Sequence, residues 1–442
     1  PPHPPPAPPP HTQQADQPSA ENVGVILSPH NPQTQAEFSK GFRAWHQARF
    51  RAPAELQWRD VGGSQQCFQW LVSEYKAADA QGRGDRGVGV DIFFGGGPRH
   101  AEAKALGLTA PADIPDDVLA AIPAELNGIT LRDPQRYWFG SALSGFGIIY
   151  FAQGLTELGM PRPAAWADLA DPRYFGRVIL ADGSKSGSAL ACYEMILQKY
   201  GWTDGVPLIL KIAANTRQIT ESSSSVPREV AKGAALAGMC IDFYGYAQIA
   251  DVGPDKANFA LPAGETAITP DPISLLRGAP HRQLAEHFIE FVLSEPGQAL
   301  WAVKPGVPGG PEKYALHRTP VRPDIFARYA DNLVVYDNPF QQTEALAYNE
   351  ALAADRSQWL GWWFKAACID NQQGLRDAYK TMIANNMPQA MIDEFNKLPG
   401  DADAMKALGD KLAQSQQAKA DITRQWYDFY RAKYQTIANM AR

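Results

Sequence analysis

From Val23 onward, short apolar runs alternate with amphipathic stretches, and the period of each run predicts the element it forms. Val23–Leu27 predicts a strand that ends in Ser28-Pro29-His30-Asn31. Residues 34–50 place Phe38, Phe42 and Trp45 on one helical face, and 55–61 alternate like a strand. Gly62-Gly63-Ser64 then opens a second helix bearing Phe68, Leu71, Val72 and Tyr75. A third strand over 88–94 runs into Gly95-Gly96-Gly97. Strands alternating with helices predict a parallel α/β sheet with right-handed crossovers. The three loops that follow these strands therefore gather at one sheet edge, where open α/β sheets bind ligands.

A second α/β region is predicted to start near Tyr137 and to run through the apolar stretch ending at Phe151. Within it, the strand Arg177–Leu180 leads into Ala181-Asp-Gly-Ser-Lys-Ser-Gly-Ser-Ala189, and Leu190, Tyr193, Ile196 and Leu197 give the following segment helical spacing. The first N–H groups of such a helix lack intrahelical partners and favour an anion. The alternative is that Ser186 or Ser188 is only an N-cap. The run Ser222-Ser223-Ser224-Ser225 offers hydroxyl donors before a short helix, or else forms a polar turn. Asp242, Tyr244 and Tyr246 follow the strand Ala237–Ile241 and stand ready either to meet a ligand or to pack a hinge.

Asp271–Leu276 and the amphipathic helix over 281–295 read as a return to the first unit, and their apolar face accounts for His287. From Asn338 the pattern is helical, with aromatic faces at Trp359, Trp362, Trp363 and Phe364 and at Tyr427, Phe429, Tyr430 and Tyr434, which read as core. The expected organisation is a Pro-rich tail over 1–22, a first lobe over 23–136, a second over 137–255, a return to the first over 256–337, and a helical extension over 338–442 packed on the first lobe.

Composition narrows the function. With 45% hydrophobic and 20% charged residues among 442, the chain is an ordinary globular protein, and its net charge of -6 gives no footprint for nucleic acid. No apolar run is long enough to span a bilayer. The polyproline start builds no core, and a processed leader is expected to have preceded it. His3 and His11 in that tail read as solvated, and no metal or cofactor is expected. Cys67, Cys192, Cys240 and Cys368 lack Cys-x-x-Cys spacing. They are either buried thiols or pairs, Cys192 with Cys240 being the natural one and Cys67 with Cys368 the remainder.

Ala142-Leu-Ser-Gly145, Asp171-Pro-Arg-Tyr-Phe-Gly-Arg-Val-Ile-Leu-Ala-Asp182, Ser186-Gly-Ser188, Ser222–Gly233, Ile241-Asp-Phe-Tyr244, Asp271-Pro-Ile273 and Ala285–Gln298 occur in one order. That order resembles bacterial extracellular solute-binding proteins of ABC importers, in the group of ferric-ion, thiamine, aminoethylphosphonate and sugar-phosphate binders. The resemblance covers roughly residues 23 to 310, and longer members carry C-terminal helices. It implies a type II periplasmic-binding fold: two α/β lobes that close around a ligand by hinge bending.

It also implies a monomer outside the cytoplasm, delivering its solute to a permease in the inner membrane; a membrane sensor is the other partner such a lobe could serve. The resemblance places Ser186, Gly187 and Ser188 at an anion, and together with the loop readings above the residues expected at the ligand are Ser28, His30, Gly63, Gly95, Gly96, Ser141, Ser144, Ser186, Gly187, Ser188, Ser222, Ser223, Ser224, Asp242 and Tyr244. In the ferric binders a tyrosine pair and a glutamate coordinate the metal. Here Phe243-Tyr244 stands at the pair and Gly95-Gly96-Gly97 at the glutamate, a poor donor set for a hard cation. The expected ligand is a small anion: a phosphonate, phosphate ester or carboxylate. The chain has no Gly-x-Ser-x-Gly elbow, and Lys185 stands in no phosphate-loop motif, so no enzyme is expected; a ferric-ion binder of the same group, or an enzyme acting on a small phosphorylated substrate, is the alternative reading.

Overall fold

The computed structural model describes residues 22–342, 344–412 and 414–440; the tail histidines His3 and His11 lie outside them. The strands are β1 (Val23–Leu27), β2 (Glu55–Arg59), β3 (Ile92–Phe94), β4 (Thr109–Ala110), β5 (Glu125–Leu126), β6 (Ile129–Thr130) and β7 (Phe139–Ser144). They continue as β8 (Phe146–Phe151), β9 (Val178–Ala181), β10 (Thr216–Thr220), β11 (Ala237–Ile241), β12 (Ala257–Ala260), β13 (Thr269–Leu276) and β14 (Thr319–Pro320). Two mixed sheets result. One runs β14-β7-β13-β3-β1-β2 with β4 beside β13, the other β10-β9-β11-β8-β12, and β5 and β6 form a separate hairpin. In the first sheet β1 is parallel to β2 and β3; in the second, β9 is parallel to β10 and β11.

Local chemistry explains the element starts. Asn31 caps the helix Pro32–Phe50 by accepting from the Thr34 N–H at 2.9 Å, and Pro32 at the first position needs no acceptor. The Phe38 and Phe42 face of this helix meets Phe288, Phe291 and Trp301 over the first sheet. Strand β3 is shorter than the sequence pattern suggests, because 88–91 stay outside the ladder.

Two boundaries differ from the sequence reading. The buried stretch expected to open the second lobe is split at Gly145: β7 pairs with β13 in the first sheet, and β8 pairs with β11 and β12 in the second. Strand β12, placed in the return to the first lobe, likewise belongs to the second sheet. The chain thus passes between sheets at Gly145 and again at 261–268. These passages touch: a Cβ on Gly145 would come within 2.8 Å of Leu261 and 2.9 Å of Ile268.

The C-terminal helices are the larger correction, for they pack mainly on the second lobe and meet the stretch expected in the first only at Ile129 and Thr130. The cause lies in Gly187–Ala214, two helical runs joined at Gly201 (φ 74°), which is apolar on nearly every side. The second sheet can cover only part of such a surface, so another layer must cover the rest. Trp202 packs against Trp359 and Trp363 at 5.7 and 5.9 Å between ring centroids, and Tyr193 stacks on Phe364 at 4.1 Å. Burying an aromatic ring of this kind contributes on the order of 2–3 kcal/mol. Trp426, Tyr430 and Tyr434 of the helix Gln416–Asn439 complete this core, while Trp362, Tyr427 and Phe429 are only partly buried. All four cysteines are buried free thiols.

Candidate functional site

Parallel strands end together, so the loops after β1, β2 and β3 share one edge of the first sheet. Those after β9, β10 and β11 share one edge of the second. Arg318, next to β14 in the first lobe, holds its guanidinium 4.0 Å over the ring of Phe243, which follows β11 in the second lobe. The two loop edges therefore face each other across this contact.

On the first-lobe edge Ser28 and His30 are buried, Asp271 and Arg318 are largely so, and their polar groups are committed. His30 Nδ1 lies 3.0 Å from Ser28 Oγ, and the same hydroxyl accepts the His30 N–H. His30 Nε2 lies 3.2 Å from Asp271 Oδ2. Asp271 also accepts the Gly97 N–H at 3.1 Å and an Arg318 N–H at 2.5 Å. It stands between Pro270 and Pro272, where the β7–β13 register shifts, and a bulge of this kind re-aims a side chain. Burial works to raise the Asp271 pKa, but Arg318, His30 and the Gly97 N–H outweigh it and hold the carboxyl well below the usual range. Burial lowers the His30 pKa, with Asp271 opposing.

Gly95, Gly96 and Gly97 all have positive φ, and a Cβ on Gly95 would meet the His30 ring at 2.9 Å. Only glycine fits there without strain. Gly63 is the exposed N-cap of the helix Ser64–Ala80.

The second-lobe edge is different: neutral hydroxyls and helix starts, partly open. Ser186 caps the helix Gly187–Ala214 by accepting from the Ala189 N–H, and its Oγ lies 3.3 Å from Ser188 Oγ. Ser188 in turn bonds Ser223 at 2.7 Å, joining the two serine loops, and Ser222 bonds Ser224 at 2.9 Å. The N–H groups of Gly187 and Ser188, in the first helical turn, have no intrahelical acceptor. Lys185 is exposed and paired with Glu221, which raises its pKa.

The remaining expected contacts lie where the chain passes between sheets. Asp242 is buried with both oxygens engaged, accepting the Gly145 and Phe243 N–H groups at 2.7 Å each. Burial pushes its pKa up to about 7 against those bonds. Ser141 is fully buried and donates to the Asp271 carbonyl at 2.6 Å. The buried Ser144 hydroxyl has no partner among the described residues. Tyr244 is half-buried; burial raises its pKa and Arg318 opposes.

The structure thus brings Ser186, Gly187 and Ser188 together with the 222–224 run, and Ser28 and His30 together with Gly95. It places Ser28, Ser141 and Asp242 behind the surface, engaged with protein groups. Sequence reasoning missed Arg318 and Phe243 as the junction between edges and noted Asp271 only as part of a motif. A buried carboxylate flanked by prolines signals that a cation must lie nearby, but not which one. Among the described residues, no three His, Cys, Asp or Glu side chains are grouped to hold a metal ion. Among them, too, no helix is long and apolar enough to cross a membrane.

Residues 89–319, just over half of the chain, match the family described as bacterial extracellular solute-binding protein. The phosphoglycerate transport regulatory protein PgtC of Salmonella typhimurium is 30% identical over 185 residues, 42% of this chain and 46% of that protein. The match therefore spans just under half the length of that relative. Iron uptake protein A1 of Synechocystis is 23% identical over 282 residues, 55% of this chain and 75% of that protein. Among solved structures, the periplasmic binding protein AfuA of Actinobacillus pleuropneumoniae, with fructose-6-phosphate bound, superposes with a TM-score of 0.57 at 18% identity, covering 78% of this chain and 98% of that one. Iron-bound HitA of Pseudomonas aeruginosa gives 0.57 at 17% identity, covering 77% and 98%. These likenesses establish a shared fold: two mixed sheets facing across a junction, here with a C-terminal helical layer.

Proposed function

Because the chain belongs to the bacterial extracellular solute-binding proteins, a family of binding proteins rather than enzymes, we propose that it captures a small organic anion between its lobes. It would deliver that solute from the periplasm, as a monomer, to the permease of an ABC importer in the inner membrane. The observation that carries this reading is the Ser188–Ser223 hydroxyl pair at 2.7 Å, which joins two helix-start loops into one neutral donor surface. Ser186, Gly187 and Ser188 would hold the anionic group with hydroxyls and free N–H groups in the positive field of the helix start.

Across the junction, Arg318 spends one N–H on Asp271, and no other hydrogen bond leaves its guanidinium among the described residues. It would supply the opposing charge, with Tyr244 at the ligand's other end. His30, Ser28 and Gly95–Gly97 then act by holding Asp271 and Arg318 in place. Closure follows from tighter binding to the state in which both edges meet the ligand. The Salmonella relative's name points to a phosphorylated three-carbon acid, and phosphoglycerate is accordingly the probe of choice.

A ferric reading is supported by the iron uptake relative. It is opposed by Phe243, which puts no oxygen donor beside Tyr244 and instead supports Arg318.

Calorimetric titration with phosphoglycerate tests the proposal. Ser186→Asp sets a like charge against the bound anion and should weaken affinity by at least about a hundredfold, some 2.7 kcal/mol. Undiminished affinity in that variant would defeat the assignment.

A further inference from the structure

The serine loop that meets Ser188 runs directly into a short helix, Ser225–Ala231, and that helix carries a cation. Val226, Pro227, Val230 and Ala231 are buried, which leaves Arg228 on the exposed face. Its guanidinium turns back along the helix and donates from Nη2 to Ser225 Oγ at 3.1 Å. The charge therefore sits at the end of the helix that adjoins the 222–224 run. Neighbouring carboxylates do not neutralise it: Glu221 is taken by Lys185 and Glu229 by Lys232, and among the described residues none lies within ion-pair distance of Arg228. Asp182, in the loop alongside, accepts the Ser184 N–H and hydroxyl at 2.8 and 2.7 Å.

A second observation gives that charge a direction. The helix Ser225–Ala231 packs against the helix Asp242–Val252, whose first turn holds Tyr244. Burial raises the Tyr244 pKa, and two cations oppose it, Arg318 from the first lobe and Arg228 from the second. Asp271 acts on Tyr244 as well, but its charge is paired with Arg318. One tyrosine hydroxyl thus lies in the field of a guanidinium from each lobe. Both guanidinium groups keep donors in reserve, since Arg318 spends one N–H on Asp271 and Arg228 one on Ser225. The planar fork of an arginine suits a carboxylate or a phosphate.

We propose that Arg228 is a specificity residue of the interlobe site, taking the second anionic group of a ligand that carries two. This rests on the function proposed above, in which the first anionic group lies on Ser186, Gly187 and Ser188. The second group, a carboxylate, would sit between Arg228 and Arg318, with the Tyr244 hydroxyl donating to it. A ligand with an anion at each end meets the helix start and both arginines at once, whereas an analogue lacking the second anion leaves the arginines unmet. The site then selects phosphorylated acids over simple phosphate esters. The same bridge joins the lobes, because each lobe supplies one of the two cations.

The test is calorimetric titration of the full chain with 3-phosphoglycerate and with glycerol 3-phosphate, which keeps the phosphate and lacks the carboxylate. Arg228→Gln should weaken phosphoglycerate at least about tenfold and glycerol 3-phosphate by less than about threefold. Arg228→Lys keeps the charge without the fork and should recover part of the loss. Lys185→Gln removes a charge that Glu221 already pairs and should leave the ratio of the two affinities unchanged. Ser186→Asp should weaken both ligands together. The inference fails by itself if Arg228→Gln weakens both ligands alike, or neither, while Ser186→Asp still weakens both. If Ser186→Asp binds both as tightly as the parent, or the parent binds neither at millimolar concentration, the function it rests on fails and the inference falls with it.

Discussion

The two loop edges of this protein are built from the same topology, parallel strands with helices between them, yet their polar groups are arranged differently. The first-lobe edge is a largely buried ionic network in which Asp271 binds His30, the Gly97 N–H and Arg318 together. The second-lobe edge instead presents serine hydroxyls bonded to one another and helix-start N–H groups left without acceptors, with the Asp182 carboxylate held by Ser184 and the Lys185–Glu221 pair in the same loops. A network whose charges are already paired gains little from a ligand, apart from the Arg318 donors it leaves over. Neutral donors at a helix start gain an anion without having to break an ion pair first. On the proposed function, one edge would orient the site and the other would supply most of its recognition.

Removing the cation should expose that difference most strongly. Arg318→Ala leaves Asp271 charged and buried, and it should destabilise the protein by about 3–5 kcal/mol in urea unfolding. Ligand affinity should fall with it. Loss of affinity at full stability would show that the network is not structural.

The next effect is a pH dependence, and the two buried aspartates differ in its sign. The folded-state pKa of Asp271 is depressed, so its contribution is present above the unfolded value of about 3.9 and is lost as pH falls below it. The folded-state pKa of Asp242 is raised to about 7. Between about pH 4 and that value the native state binds more protons than the unfolded one, so stability declines as pH rises. Asp242→Asn should remove this decline, of a few kcal/mol, from the stability profile. An unchanged slope between pH 4 and 7 would assign the titration to another group.

A smaller effect concerns the support of the second edge. Gly361 of the helix Leu360–Phe364 lies so close to the loop that a Cβ would come 2.7 Å from the Gly183 carbonyl oxygen and 2.9 Å from Ser184 Cα. Gly361→Ala should therefore shift the loop leading to Ser186, costing about 1–2 kcal/mol of stability. It should also weaken phosphoglycerate binding severalfold, whereas unaltered affinity would detach the C-terminal layer from the site.

How much of this was legible beforehand follows from where the information lies. The loops after β1, β3, β9 and β10 stand out because local period and glycine or serine composition mark them. The passage at Gly145 does not, since β7 is buried throughout and β8 nearly so. A stretch buried almost from end to end carries no sign of changing sheets. The C-terminal helices show their aromatic faces but not the surface those faces meet. That surface becomes evident only once the helix Gly187–Ala214 is seen to need cover on its second side. Arg318 was invisible because its partner Asp271 lies 47 positions away and its stacking partner Phe243 lies in the other lobe. The capping reading of Ser186 and the anion reading of the same loop proved compatible in geometry, since the cap occupies one N–H and leaves those of Gly187 and Ser188.

The most direct measurement is native mass spectrometry of the parent protein and Ser186→Asp, as purified and after incubation with phosphoglycerate. The expected result is one organic anion bound to the parent and none to Ser186→Asp. An equal adduct on both proteins, or a ferric ion in place of the organic anion, would contradict it.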